Sequence, residues 1–382
     1  MSDRANPPAN NHFAALDSLR GLAAASVVLF HVRLLAGPAG PLFALGYVRN
    51  AYLMVDFFFV LSGFVIALNY AERIPDARAA ARFVWLRFWR LYPLHLAFLF
   101  VLLAIEGVKW LAERRFGIAL GGVAFATNDA WAFATNLLLA QSFGLTPQLT
   151  FNIPAWSIGA EFYTYLAFAL VALATRRVMT VAAVIVAAGA MVLVLVSPDG
   201  LFLMQDGGFI RCLFGFFLGV IGCGVYRRLA ARSVAASMAA CLASLALVAA
   251  LALLAWKPAP FFDFAIPPLA AVVVVALALA PGTRLSRVLS ARPLAWLGRV
   301  SYSIYMTHWA VLLVATNLLL KLHFARAFGS GMPADIVLTL LCLAPVLLLS
   351  QWTFRHIETP WRDWSRRAGW QAVREAAPSP AQ

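Results

Sequence analysis

Charged residues are scarce in this chain of 382 residues, where they make up 12% of the sequence. A soluble domain carries about twice that share, so the composition excludes an ordinary water-soluble fold. Acidic residues are the rarer kind, 16 against 30 Lys and Arg, which leaves a net charge of +14. The basic residues stand in short connectors between apolar runs. This distribution excludes a nucleic-acid-binding surface and is typical of a membrane protein.

Cysteine is also rare, and it lacks the spacing that a disulfide framework or a zinc site requires. All four cysteines lie inside apolar runs: Cys212, Cys223, Cys241 and Cys342. No internal repeat is visible, and no polar stretch is long enough to form a separate soluble domain. We therefore expect no metal site and no permanently bound cofactor.

Apolar residues, in contrast, make up 63% of the chain, and its mean hydropathy is +0.83. Apolar runs long enough to cross about 30 Å of hydrocarbon recur along almost the whole sequence. They predict an all-α fold, a polytopic membrane bundle of about ten transmembrane helices. The predicted spans lie near residues 16–36, 50–70, 91–112, 156–174, 178–196, 209–226, 236–256, 264–281, 302–320 and 334–354.

One further apolar segment, residues 131–144, is too short for a regular span. Counting it as a crossing would place later arginine clusters on the side opposite the earlier ones, against the usual bias of basic loops. We interpret it as a re-entrant or interfacial segment on the outer face, with both termini of the chain in the cytoplasm. Residues 1–12 and part of the basic tail, 361–382, are polar and predicted to be disordered.

Two ionisable residues stand eleven positions apart in the first span, Arg20 and His31. Eleven residues are about three helical turns, so both side chains lie on one face, roughly 16 Å apart along the axis. Asp17 precedes Arg20 by three positions and shares that face. Ionisable groups inside a span are costly, which favours a functional role. The alternative is that Arg20 anchors the span at the cytoplasmic interface and that His31 is a packed polar residue.

Two arginines, Arg87 and Arg90, share one helix face just before the third span. Paired guanidinium groups suit bidentate phosphate binding, although arginine before a span is also an ordinary topology signal. Glu161 is a carboxylate inside the fourth span, where it needs a partner. We predict that it pairs with an arginine or binds an acceptor hydroxyl. Asp56 is predicted to pair with Arg49 or Arg211.

A polar stripe runs along the ninth span, because Ser301, Tyr305 and His308 recur at four and three residues. Such a stripe can line a channel, or it can form polar contacts between packed helices. The residues alone are compatible with both. Gly63, in the second span, is expected to permit close helix packing.

Five segments together resemble the acyltransferase-3 family of membrane-bound O-acyltransferases. In chain order they are LDSLRGLAAASVVLFHV, VDFFFVLSGFVIA, RFWRLYP, WSIGAEFYTY and GRVSYSIYMTHW. The resemblance covers roughly residues 13–360, which we treat as one transmembrane domain. The sequence departs from the common family pattern at Phe162, where many members carry a second acidic residue. That departure puts in doubt any role that needs two carboxylates.

The resemblance implies transfer of an acyl group, usually acetyl from cytoplasmic acetyl-CoA, to a hydroxyl of a cell-surface or lipid-linked carbohydrate at a bacterial inner membrane. His31 would act as base or acyl carrier, because imidazole suits both roles, and Arg20 and Asp17 would assist it. The acyl-CoA-binding residues would be Arg87, Arg90, Ser301, Tyr305 and His308, and the acceptor-binding residues would be Glu161, Asp56 and Arg211.

Two other functions are compatible with the same sequence features. A flippase or transporter of a lipid-linked glycan also needs a polar cleft, but such proteins often have paired, inverted halves that this chain lacks. A third alternative is an acyltransferase for a small, macrolide-like acceptor. The expected partners are acyl-CoA, the acceptor and membrane lipids, and no nucleic acid.

Overall fold

The computed structural model describes residues 13–36, 40–118, 120, 122–321 and 331–375. Every regular element in these ranges is helical, which confirms the predicted all-α membrane bundle. The long helices are α1 (Ala14–Ala36), α4 (Met54–Tyr70), α5 (Ala77–Phe116), α7 (Trp156–Ala174), α8 (Val178–Val196), α9 (Gly208–Ala230), α10 (Ala236–Trp256), α11 (Ile266–Ala278), α14 (Ser301–Lys321), α15 (Met332–Thr353) and α16 (Thr359–Glu375).

Short helices connect them. These are α2 (Pro41–Ala44), α3 (Gly46–Asn50), α6 (Ala130–Leu137), α12 (Arg284–Leu289) and α13 (Arg292–Arg299), with 3₁₀ turns at Ala51–Leu53, Ile153–Ala155 and Pro260–Ala265. The expected disorder of residues 1–12 lies outside the described residues, as does the end of the tail from residue 376. The described part of that tail is helical and packs on α5.

Nine helical stretches in the described part of the chain are long and apolar enough to cross a membrane. They correspond to nine of the ten predicted spans. The remaining predicted span, the ninth, is α14, whose 21 residues make a helix about 31 Å long. The third span differs from the prediction because it belongs to the 40-residue helix α5, about 60 Å long, which also contains Arg87 and Arg90. This helix is longer than the hydrocarbon core is thick, so Arg87 and Arg90 lie on the same continuous helix as the third span.

Glycines allow the central helices to approach closely. A Cβ added at Gly63 of α4 would lie 1.8 Å from the carbonyl oxygen of Phe216 in α9, and one at Gly219 would lie 2.0 Å from the carbonyl oxygen of Val60. Small residues are the usual solution where membrane helices pack backbone to backbone. The predicted packing role of Gly63 is thus confirmed.

A second close contact joins α1 to α13. A Cβ added at Gly21 would lie 2.5 Å from the backbone nitrogen of Gly298, and one at Gly298 would lie 2.3 Å from the carbonyl oxygen of Asp17. This contact brings the start of α14 beside α1. It therefore positions the polar residues of two helices that are almost three hundred residues apart in sequence.

The apolar segment 131–144 does not cross the bundle. Its only regular part is α6, whose eight residues span about 12 Å, and turns follow. The chain then enters the bundle, because Asn152 Nδ2 donates a 3.0 Å hydrogen bond to the carbonyl oxygen of Met306 in α14. Within the segment, residues 139–142 are buried against the bundle, whereas Trp131 and Leu138 are exposed. Both the re-entrant and the interfacial arrangement predicted for it fit this packing.

Candidate active site

A cavity opens between α1, α4, α5, α7 and α14, with about 800 Å³ of empty space, part of it open to solvent. Six residues selected from the sequence line it: Arg20, Arg87, Arg90, Glu161, Ser301 and Tyr305. The remaining lining is mostly apolar, so a few polar groups face one another across a hydrophobic channel.

Arg20 is held in place at one end of this cavity. Its Nε donates a 3.0 Å hydrogen bond to Ser301 Oγ, and its Nη2 lies 2.9 Å from Asp17 Oδ1. The side chain thus ties the first residue of α14 to α1. Arg20 does not contact His31, as its axial distance predicted.

The two arginines of α5 lie on the same cavity wall. Arg87 Nη2 donates to Tyr70 Oη at 3.1 Å, and its guanidinium lies over the Tyr70 ring at 5.3 Å. The buried Nε of Arg87 has no hydrogen-bond partner. Arg90 Nη1 lies 3.6 Å from Glu358 Oε1. Both guanidinium groups therefore keep donors that an anionic ligand in the cavity can use.

Glu161 is the acidic residue on the cavity wall. It accepts a 2.6 Å hydrogen bond from Tyr165 Oη, and the same hydroxyl lies 3.0 Å from Ser62 Oγ. The side-chain partner of Glu161 is thus Tyr165, and not an arginine, which was one of the two predicted partners. This arrangement leaves part of the carboxylate facing the cavity.

Tyr305 stands between the cavity and the interior of the bundle. Its hydroxyl lies 2.7 Å from Ser157 Oγ and donates to the carbonyl oxygen of Pro154 at 3.1 Å. One side of the ring lines the cavity, and the ring centroid lies 5.8 Å from that of His308. The 3₁₀ turn Ile153–Ala155 and the start of α7 therefore fix this side chain.

His31 and His308 form a buried pair beyond Tyr305. His31 Nδ1 lies 2.9 Å from the carbonyl oxygen of Val27 and 3.2 Å from His308 Nε2. His308 Nδ1 lies 3.1 Å from the carbonyl oxygen of Ile304. Because carbonyl oxygens accept, both Nδ1 atoms carry the proton in the neutral pair. His31 Nε2 then keeps a free lone pair, the form that a base or a nucleophile needs.

Asp56 and Arg211 pair with each other elsewhere in the bundle. Arg211 makes two hydrogen bonds to the Asp56 carboxylate, at 2.9 and 2.6 Å, and the two side chains are 1% and 0% exposed. The pairing with Arg211 rather than Arg49 was one of the two expected arrangements. The pair does not line the cavity and exposes no surface to an acceptor, so its acceptor-binding role stays a prediction.

Comparison with known proteins agrees with this architecture. The profile of a family described as "Acyltransferase domain", acyltransferase-3, matches residues 13–355. The chain belongs to this family. It is therefore a multi-pass membrane O-acyltransferase. No solved structure matches it.

Three relatives of this acyltransferase show how far the similarity extends. A protein of Komagataeibacter xylinus named "Putative membrane-bound transacylase" is 28% identical over 92% of this chain and 84% of its own length. The peptidoglycan O-acetyltransferase of Listeria monocytogenes is 23% identical over 91% of this chain but only 55% of its own length. An acyltransferase of Streptomyces mycarofaciens is 29% identical over 43% of this chain and 40% of its own.

Two features of the acyltransferase site were not found from the sequence. His308 was assigned to the donor channel, whereas the structure places it against His31, and the two lie 277 residues apart. Glu358, beside Arg90, was not selected at all. Its position along the chain carried no signal, because Glu358 is one of three acidic residues in the basic stretch that follows the last span, with Asp363 and Glu375.

Proposed function

We propose that this membrane O-acyltransferase moves an acyl group, acetyl in the simplest case, from cytoplasmic acyl-CoA to a hydroxyl of a cell-surface or lipid-linked carbohydrate. The observation that carries the proposal is the cavity in which Arg20, Arg87 and Arg90 face Glu161 and Tyr305. CoA carries a pyrophosphate and a further phosphate, and forked guanidinium groups bind such groups well.

The orientation follows from the basic connectors. Arg87 and Arg90 lie at the end of the bundle where α4 ends at Tyr70 and α14 begins at Ser301. The connectors at that end carry most of the basic residues, and basic connectors face the cytoplasm. In the proposed arrangement, the CoA phosphates bind there and the flexible pantetheine arm extends along the cavity toward Tyr305, with the acceptor arriving from the opposite side.

The chemistry assigns His31 the central role. As a base, His31 Nε2 takes the proton of the acceptor hydroxyl while the hydroxyl oxygen attacks the thioester carbonyl carbon. The carbon–sulfur bond then breaks, and the CoA sulfur leaves with the proton from the imidazolium. As an acyl carrier, the same atom attacks the thioester carbonyl carbon, the carbon–sulfur bond breaks, and CoA leaves as the thiolate. The acceptor hydroxyl oxygen then attacks the acyl carbon, the nitrogen–acyl bond breaks to restore the imidazole, and the hydroxyl proton passes to the CoA thiolate. A carbohydrate acceptor is supported by the name of the Listeria relative, a peptidoglycan O-acetyltransferase.

Binding of acyl-CoA to the purified protein in detergent tests the donor site. The variant Arg87→Gln/Arg90→Gln is expected to weaken binding at least tenfold, because a hydrogen bond to a charged group contributes about 1.5–3 kcal/mol. Lysine at both positions restores only part of the affinity, since it cannot form the forked contact. Arg366→Gln/Arg367→Gln, in the exposed part of α16, is the matched control. Equal affinity of the wild type and the double Gln variant at every salt concentration would reject the donor site.

Chemical analysis of the surface glycans, with and without the gene, tests the acceptor. Loss of O-acyl groups from one glycan, with its backbone still exported, supports acyl transfer to carbohydrate. Loss of the glycan from the surface would instead support the flippase alternative.

A further inference from the structure

The last membrane helix ends in an unusual turn that carries a buried carboxylate. Residues Phe354–Glu358 form a π-helical segment between α15 and α16. Such turns are rare and are frequent at functional sites. Glu358 is 3% exposed, although it is the last residue of this turn in a polar part of the chain. It also lies beyond residue 355, where the match to the acyltransferase profile ends.

Glu358 bridges two walls of the cavity from behind. Its Oε2 accepts a 2.9 Å hydrogen bond from Ser303 Oγ in α14, and its Oε1 lies 3.6 Å from Arg90 Nη1 in α5. Oε1 itself has no hydrogen bond. Glu358 does not line the cavity, whereas Arg90 does. The carboxylate thus faces the arginine from the side away from the ligand space.

Arg90 depends on this contact for its position. In the part of the chain that the structure describes, Glu358 is the only oppositely charged or hydrogen-bonding partner of the Arg90 side chain. The other two arginines of the cavity have hydrogen-bonding partners of their own. Arg20 contacts both Ser301 and Asp17, and Arg87 donates to Tyr70. A long arginine side chain without a partner loses considerable conformational freedom when it binds a ligand.

We infer that Glu358 is the positioning residue for Arg90 and holds its guanidinium at the donor end of the cavity. This inference rests on the proposed function, in which Arg90 binds a phosphate of acyl-CoA. Glu358 acts through Arg90 and does not touch the donor. Its negative charge also repels the phosphates, but the charge lies behind Arg90, which shields it, so the gain from orienting the guanidinium outweighs the repulsion.

A double-mutant cycle on acyl-CoA binding tests the inference. The dissociation constant of acyl-CoA is measured in detergent for the wild type, Glu358→Gln, Arg90→Gln and the double variant, each normalised to folded protein. We expect Glu358→Gln to raise the constant roughly three- to tenfold, with kcat changed less than about twofold. In the Arg90→Gln background the same substitution is expected to change nothing. Glu358→Asp, which keeps the charge, recovers part of the affinity.

Glu72→Gln is the matched control, because Glu72 is an exposed carboxylate paired with Arg227 and does not line the cavity. It should leave the dissociation constant unchanged. If Glu358→Gln does not fold, Ser303→Ala replaces it in the cycle, since it removes the other contact of the carboxylate. We again expect the dissociation constant of acyl-CoA to rise when Arg90 is present and to stay unchanged in the Arg90→Gln background.

The outcomes separate this inference from the proposed function. If Arg90→Gln weakens binding and Glu358→Gln does not, the positioning role is rejected while the donor site stands. If the effects of Glu358→Gln and Arg90→Gln on the dissociation constant multiply in the double variant, Glu358 acts independently of Arg90, and the inference is again rejected. If Arg90→Gln itself has no effect, the phosphate role of Arg90 fails, and the inference fails with it.

Discussion

The pair of buried histidines makes the sharpest prediction, which concerns His31→Ala. The substitution removes the imidazole whose Nε2 is left free when Nδ1 donates to the carbonyl oxygen of Val27. A positioned base contributes about 10²- to 10⁴-fold to the rate. This factor corresponds to about 2.7–5.5 kcal/mol of barrier. We therefore expect acyl transfer to fall to 1% of the wild-type rate or less.

The structure predicts a smaller effect for the second histidine. His308→Ala removes the 3.2 Å contact to His31 but leaves the bond between His31 Nδ1 and Val27, which fixes the same tautomer. His308→Ala should therefore reduce the rate by about tenfold, the cost of one hydrogen bond that orients the ring. Each variant also leaves a small cavity, which costs about 2–3 kcal/mol of folding free energy.

A third buried histidine provides the control. His95 is 0% exposed, and its Nε2 lies 2.8 Å from the carbonyl oxygen of Asn136. Like His31 and His308 it does not line the cavity, but it lies on α5 and is not part of their pair. His95→Ala should cost similar stability and spare the rate per folded molecule. The assay measures O-acyl groups on the surface glycan of complemented cells, together with folded protein from size-exclusion chromatography. More than a tenth of the wild-type rate in folded His31→Ala would refute the reasoning, as would an equal loss in His95→Ala.

Three further predictions concern the bundle. Gly63→Leu should abolish the folded peak in detergent, because even its Cβ would lie 1.8 Å from the carbonyl oxygen of Phe216; wild-type yield would contradict this. Asp56→Asn should lower the free energy of unfolding by about 3–5 kcal/mol, since it leaves the buried Arg211 without its counter-charge, while exposed Asp206→Asn should shift it by less than about 0.5 kcal/mol. Single cysteines at positions 120 and 148, in a background without the native four, should both react with an impermeant reagent from outside. Reaction at only one of them would show that segment 131–144 crosses the membrane.

The sequence was sufficient for the spans and for the charged residues that line the cavity. Hydropathy reports how long each apolar run is, and ionisable residues inside such runs are few enough to select individually. Arg20, Arg87, Arg90 and Glu161 were found in this way, and all four line one cavity.

The sequence was insufficient where function depends on which helix faces meet. No periodicity within one helix reveals that His308 lies against His31, because the contact is set by how α1 and α14 pack. Glu358 was missed for a different reason. It follows the last apolar run, in a polar stretch where a carboxylate is expected to face water, and only the π-helical turn directs it inward.

The distance along the chain between the contacting residues has a consequence for biosynthesis. Arg20 meets Ser301 across 281 residues, and His31 meets His308 across 277. Helices enter the membrane in the order of translation, so α1 carries its ionisable side chains into the bilayer long before α14 exists. Until then, Arg20 has only Asp17, and His31 has only the carbonyl oxygen of Val27, both within α1, to offset their cost in lipid. The proposed catalytic centre is therefore completed among the last steps of insertion, and a ribosome that stalls before α14 leaves an inserted protein without it.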